Sequence, residues 1–233
     1  MERINLNSPV PRKSELRYFE FPYEITGKKY LLKPATPGNI PFFKVLLSRS
    51  SRRNLGHLTD DVLSELLWYS AKTFSVRKRE SGYLWQHRSS PSAGGCHPID
   101  LLLLSRQSSK VKIYDSLAHS LCEIRVETSL LGPFIEFICE SIPVEEATLI
   151  MFAAQFDRTL SKYEYGESLV WRDAGTLLAT ISLVAEALGL HSCALGVTGE
   201  PLLSELLKSN GQVIGVGGCV VGEAVLNASD NMI

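Results

Sequence analysis

From Thr59 onward the apolar residues Val62, Leu63, Leu66, Leu67, Ala71 and Phe74 recur every three or four positions, which is the period of one helix face and predicts a helix there. Thr59 is placed to cap it, with Asp60 and Asp61 at the positive end of its dipole. A longer stripe through Leu177, Leu178, Ile181, Val184, Ala185 and Leu188 predicts a helix over 169–188, ended by a left-handed cap at Gly189. Shorter helices are expected at 41–47, with Pro41 in the first turn, at 130–142 and at 201–207. Apolar runs at 99–104, 147–156, 192–197 and 213–221 read as strands. Residues 110–124 read as a small meander turning at Tyr114-Asp115-Ser116 and Ala118-His119-Ser120. The Lys- and Arg-rich stretch 77–88 reads as a loop. Residues 1–37 read as an extended arm with one hairpin turning at Thr26-Gly27, and 38–233 as a single domain. Helices and strands mix without strict β-α-β alternation, so the fold class expected is α+β.

Composition narrows this picture. A chain of 233 residues that is 45% hydrophobic can bury a core without disulfides or metals. Lys and Arg number 24 against 25 Asp and Glu, so no broad field favours nucleic acid or an anionic membrane. No stretch approaches the roughly 20 apolar residues of a membrane span, and Met1-Glu2-Arg3-Ile4-Asn5 opens no secretory leader. A soluble, cytoplasmic protein is expected. The cysteines at 96, 122, 139, 193 and 219 form no Cys-x-x-Cys pair and read as reduced thiols. The histidines at 57, 87, 97, 119 and 191 show no metal-ligand spacing, so no metal is expected. Only His97 falls beside a candidate site.

Three local patterns could carry chemistry. Arg49-Ser50-Ser51-Arg52 follows a helix and sets two guanidiniums and two hydroxyls within four residues. That set can grip a phosphate, or it can be a solvated basic turn. Pro91-Ser92-Ala93-Gly94-Gly95, leading into Cys96-His97-Pro98 and a strand, would let backbone N–H groups approach a flat ligand. An ordinary connector looks the same. Gly215, Gly217, Gly218 and Gly222 interrupt the last strand with neither the spacing nor the following helix of a dinucleotide fingerprint, and read as sites of close backbone packing. Walker, His-Glu-x-x-His and Gly-x-Ser-x-Gly sequences are absent.

Taken together and in order, these segments resemble the nitroreductase-like flavoprotein superfamily, in which an Arg/Ser segment after the first core helix holds the FMN phosphate. Within it, 90–98 is closest to the SagB-type azoline dehydrogenases of ribosomal peptide maturation. Phe156-Asp157-Arg158-Thr159, Ser161-Lys162-Tyr163 and Trp171-Arg172-Asp173-Ala174-Gly175 resemble that branch's Lys-Tyr segment and long helix. Ala187-Leu188-Gly189-Leu190 and Cys193-Ala194-Leu195-Gly196 resemble its following turn and flavin-side strand. Asp173 stands where Glu is usual, and the last strand lacks the Arg or Lys that many relatives add to the phosphate site.

The resemblance implies an FMN-binding fold with a mixed or antiparallel central sheet flanked by helices, and a homodimer with FMN at the subunit boundary. It implies cofactor contacts from Arg49, Ser50, Arg52, Arg88, Pro91, Ser92, Ala93, Gly94, Gly95, Leu195 and Gly196, and a catalytic pair, Lys162 and Tyr163. An ammonium beside the phenol would draw its pKa down from about 10 towards that of a working base. Adjacent residues diverge on a regular helix, so the pair converges only at an irregular site, which Gly166 permits. The activity implied is oxidation of an azoline or similar group in a peptide-like metabolite. An NAD(P)H-dependent nitroreductase or quinone reductase, and a flavin-fold partner subunit without turnover, are the alternatives.

Overall fold

A computed structural model describes residues 7–36, 38–79, 81–142 and 144–225. Its centre is a seven-stranded sheet whose six pairings are all antiparallel. The strands are β2 (Ile25–Tyr30), β5 (Ile99–Leu104), β6 (Val111–Asp115), β7 (Ser120–Ile124), β8 (Thr148–Ala154), β10 (His191–Ala194) and β11 (Ile214–Gly222). Their order is β10-β11-β8-β5-β6-β7-β2. Two small pairs lie outside it: β1 (Val10–Pro11) with β9 (Tyr163–Glu164), and β3 (Thr73–Lys78) with β4 (Leu84–Arg88).

Helices cover both faces of the sheet. Helix α2 (Asp60–Ala71) and the 21-residue α5 (Glu167–Ala187) pack on one face, where Leu101, Leu103, Ile150 and Phe152 meet Leu66, Leu67, Val170 and Ile181. Helix α3 (Thr128–Cys139) and α6 (Leu202–Leu207) cover the other, over Leu102, Leu104, Leu149 and Met151. Successive side chains of a strand point to opposite faces, so a central strand covered on both sides is apolar at nearly every position. The run Leu101-Leu102-Leu103-Leu104 is the result. Helices α1 (Phe42–Ser48) and α4 (Asp157–Leu160) pack against α5.

Several expected boundaries move. Thr59 caps α2 through the Val62 N–H, but the helix stops at Ala71 and Phe74 lies in β3. The stretch read as a loop over 77–88 is largely the β3–β4 hairpin. It lacks a buried face, and Arg77 over the Trp85 ring at 5.3 Å, with Trp85 stacked on His87, replaces the apolar alternation that marks a strand. Thr26-Gly27 is a register irregularity within β2, which pairs along the sheet edge with β7, so no hairpin turn forms there. Gly189 does take the left-handed conformation, φ 71°. The β11 glycines are sites of close approach: a Cβ on Gly215, Gly218 or Gly222 would overlap the carbonyl of Thr198, Ile150 or Gly56 respectively.

Candidate functional site

Segment 48–52, α5 and β10 enclose a crevice of about 340 Å³, lined by Arg49, Ser51, Gly175, Ala179, Ser182, Ser192 and Ala194 among others. Its wall on α5 combines the small residues Gly175, Ala179 and Ser182 with Leu178 and Leu183, and a Cβ placed on Gly175 or on nearby Gly196 would meet nothing within 4 Å. Arg49 is exposed, and among the described residues it has no ion-pair partner. Arg52 differs. Its guanidinium forms a two-pronged pair with Glu186 at 2.5 and 3.3 Å, and its backbone N–H donates to Ser192 O. The Arg52 hydrogen bond is the main cause holding the Glu186 carboxyl below its usual range. Half of the expected clamp is therefore engaged, and Arg49 with Ser51 faces the crevice. Ser50 is exposed on the same turn.

The small-residue loop lies against the same helix. Pro91 O accepts from Thr176 Oγ1 at 3.1 Å. Ser92 Oγ donates to Asp173 Oδ2 at 2.6 Å, and the Ala93 N–H donates to Asp173 Oδ1 at 3.0 Å. Asp173, 7% exposed, thus fixes the loop to α5. Burial raises its pKa, and those two bonds oppose the rise. Gly94 and Gly95 have φ of 60° and 63°, a region glycine enters without strain. Trp85 packs so closely on Gly95 that a side chain there would strike the indole.

Lys162 and Tyr163 meet at Gly94. A Cβ on Gly94 would lie 2.7 Å from both Lys162 Nζ and the Tyr163 hydroxyl, and Nζ donates to Gly94 O at 3.2 Å. Convergence comes from irregular backbone: a turn at 161–162, then β9, then Tyr165 at φ 56° before α5. The N-terminal arm builds that irregularity. Val10 and Pro11 pair with Glu164 and Tyr163, and the N–H groups of Arg12 and Leu16 donate to Lys162 O and Ser161 O, each at 2.8 Å. Glu15 pairs with Arg79 at 2.8 Å, and Arg79 also donates to Gly94 O. Arg12, Arg79 and Trp85 are contributors that local patterns could not reveal, because their partners lie well along the chain, up to 152 residues away.

The Tyr163 pKa moves opposite to the expected direction. Burial foremost, then the Cys96 thiol, raise it, with Arg79 opposing. The hydroxyl is a proton donor at neutral pH.

Arg88 is not brought to the Arg49 crevice and lines a separate cavity with Tyr18, Tyr114 and Arg158. Leu195 is 8% exposed and packs in the α3–α6 core, its N–H on Gly218 O at 3.0 Å. Gly196 beside it is exposed. Among the described residues no cluster of His, Cys, Asp or Glu could hold a metal, and no helix is long and apolar enough to cross a membrane.

The nitroreductase family model matches residues 47–223. A nitroreductase-type protein of Ralstonia eutropha JMP134 superposes with a TM-score of 0.65 at 20% identity, over 92% of this chain and 99% of its own. One from Anabaena variabilis ATCC 29413 gives 0.58 at 22%, covering 73% of this chain and 36% of that longer one. A chain of the Escherichia coli microcin synthetase McbBCD complex, solved with truncated pro-MccB17 bound, gives 0.58 at 18%, over 87% and 80%. No curated protein matches.

Proposed function

The chain belongs to the nitroreductase family, and on that premise we propose that it is a cytoplasmic, FMN-dependent oxidoreductase of SagB type, oxidising an azoline or similar ring in a peptide-like metabolite. The observation carrying this reading is the meeting of Lys162 Nζ and the Tyr163 hydroxyl at Gly94, in the loop that Asp173 fixes beside the Arg49 crevice. The likeness of fold to a chain of the microcin synthetase complex solved with truncated pro-MccB17 bound supports the substrate class.

The residues present fit a flavin mononucleotide. An exposed guanidinium, Arg49, and the Ser51 hydroxyl line the crevice, and Gly175, Ala179, Ala194 and the open face of Gly196 leave room for a flat ring. Arg49, with Ser50 and Ser51, would take the phosphate. Arg52 would act chiefly by bracing that turn through Glu186. Loop residues Pro91 to Gly95, with Gly196, would border the ring, while Leu195 stays in the α3–α6 core.

Converting an azoline to an azole removes a hydride from one ring carbon and a proton from its neighbour. FMN supplies the hydride acceptor when bound, which leaves the protein to manage the proton. Tyr163 is the group for that task, with Lys162 bonded to Gly94 O beside it and Arg79 the cation that favours its phenolate. Asp173 keeps the loop in place through Ser92 and Ala93.

The raised Tyr163 pKa favours a second reading, an NAD(P)H-dependent reductase in which the protonated phenol delivers a proton. A visible spectrum of the purified protein decides first: a flavin chromophore released by heat as FMN is expected, and a colourless protein that takes up no FMN would leave only a non-catalytic flavin-fold subunit. Arg49→Ala should weaken FMN binding about tenfold or more, from the loss of a charge-assisted contact. Bleaching by an azoline peptide with reoxidation by oxygen supports the dehydrogenase. Bleaching by NAD(P)H alone supports the reductase.

A further inference from the structure

A second cavity, of about 630 Å³, lies between the N-terminal arm, the β3–β4 hairpin and the central sheet. It exists because β5 and β6 pair only at Leu102–Ile113 and Leu103–Lys112, leaving Asp100 and Leu101 apart from Tyr114 and Asp115. Its charged groups are matched with one exception. Arg158 forms a two-pronged pair with Asp100 at 2.7 and 3.2 Å and reaches Glu20 at 3.3 Å. Lys28 pairs with Asp115 at 3.0 Å. Arg88 donates through Nε and Nη2 to a single neutral acceptor, Gln86 Oε1, at 3.1 and 2.7 Å. Among the described residues no carboxylate stands within ion-pair distance of it, and its Nη1 edge has no partner.

We propose that this cavity binds a small organic carboxylate with a flat apolar body, the carboxylate on the free Nη edge of Arg88 and the body among Tyr18, Tyr23, Tyr83 and Tyr114. A guanidinium taken out of water without a counter-ion is unfavourable, and its planar fork fits a carboxylate in two-pronged fashion. Among the described residues Arg88 is the one cation of the cavity without a carboxylate in contact, because Arg158 holds both Asp100 and Glu20, and a ligand carboxylate would complete its fork. Burial and Arg158 lower the Arg88 pKa to about 10, so the group is still a cation at neutral pH. The volume falls within the range of small-molecule sites, roughly 300 to 1,000 Å³. Stacked Tyr18 and Tyr83, their centroids 4.1 Å apart, offer aromatic surface for a ring.

Titration calorimetry of the purified protein, kept saturated with FMN, with 2-naphthoate and its neutral isostere 2-naphthamide provides the test. The acid should bind saturably and about ten- to a hundredfold more tightly than the amide, from loss of a charged hydrogen bond. Arg88→Gln should abolish that preference, and Arg88→Lys, which keeps the charge without the fork, should retain part of it. Equal affinity of acid and amide for the unaltered protein would overturn the proposal without any variant. So would displacement of naphthoate by added FMN, or an acid preference that survives in folded Arg88→Gln.

Discussion

His97 shows how far one residue's surroundings can move its chemistry. It is 8% exposed, held at φ 44° in the loop, with Nε2 3.1 Å from Gln86 O. Burial foremost, and then Arg88, push its pKa down to about 3. The folded value lies below the unfolded 6.5, so the unfolded chain binds the proton more readily. The stability His97 contributes is complete above pH 6.5 and is lost as pH falls towards 3. Between pH 6.5 and 5 that is about 2 kcal/mol. Urea unfolding at the two pH values should show such a loss, and His97→Asn, whose side chain tolerates positive φ, should flatten it. Tyr163 makes the opposite prediction. As a base it must lose a proton whose pKa lies above about 10, so kcat/KM of the dehydrogenase should climb from neutral into alkaline solution. Tyr163→Phe should stay folded and yellow, lose that climb, and turn over about 100- to 10,000-fold more slowly. The Arg/Ser segment stands out in the sequence as a local cluster, whereas Lys162 and Tyr163 are singled out only by the family resemblance, and their convergence at Gly94 depends on an N-terminal arm remote in sequence. The engagement of Arg52 was not legible, since Glu186 lies 134 residues on and nothing in the Arg/Ser segment signals it.

Among the elements, those with a buried face and a clear period were legible to within a few residues. The strand at Ile99–Leu104 and the helices α2 and α5 are examples. The β3–β4 hairpin was not, because its half-buried positions, Trp85, Gln86 and Arg88, are largely polar or amphipathic and display no apolar period. The loop at 92–95 is the element on which the candidate chemistry turns, and its glycines are there for two different neighbours: Lys162 and Tyr163 at Gly94, Trp85 at Gly95. Gly94→Ala would add a Cβ at positive φ and push both side chains away. The variant should keep FMN, since the Arg49 turn is untouched, and lose turnover by at least tenfold, measured as single-turnover flavin reduction. Loss of FMN instead would mean that the loop grips the cofactor more than it positions the pair.

For the whole molecule, the fold class was legible because mixed helices and strands without regular alternation leave few architectures. The sandwiched antiparallel sheet is one of them. What the chain does with its remaining apolar surface belongs to this scale as well. Helix α1 exposes Phe42 at 61%, Phe43 at 71% and Leu47 at 84%, directly before Arg49. Such a patch beside the crevice suits burial against a second copy of the chain, and we propose on it the homodimer with FMN at the boundary that the family resemblance implies. Light scattering should report about twice 25.8 kDa. Phe43→Ser with Leu47→Ser should shift the species towards the monomer and weaken FMN retention with it. A stable monomer of the unaltered chain with full FMN content would exclude the boundary site.

The pairing of Val10 and Pro11 with Glu164 and Tyr163 makes the arm a splint for the Lys-Tyr turn, although none of the arm's described residues lines the Arg49 crevice. Exposed Arg17 and Phe19 stand just beyond that splint, where a protease could cut. Nicked there and stripped of the released peptide, the protein should remain coloured and fail to turn over, and a synthetic peptide of residues 7–16 should restore part of the activity when added back.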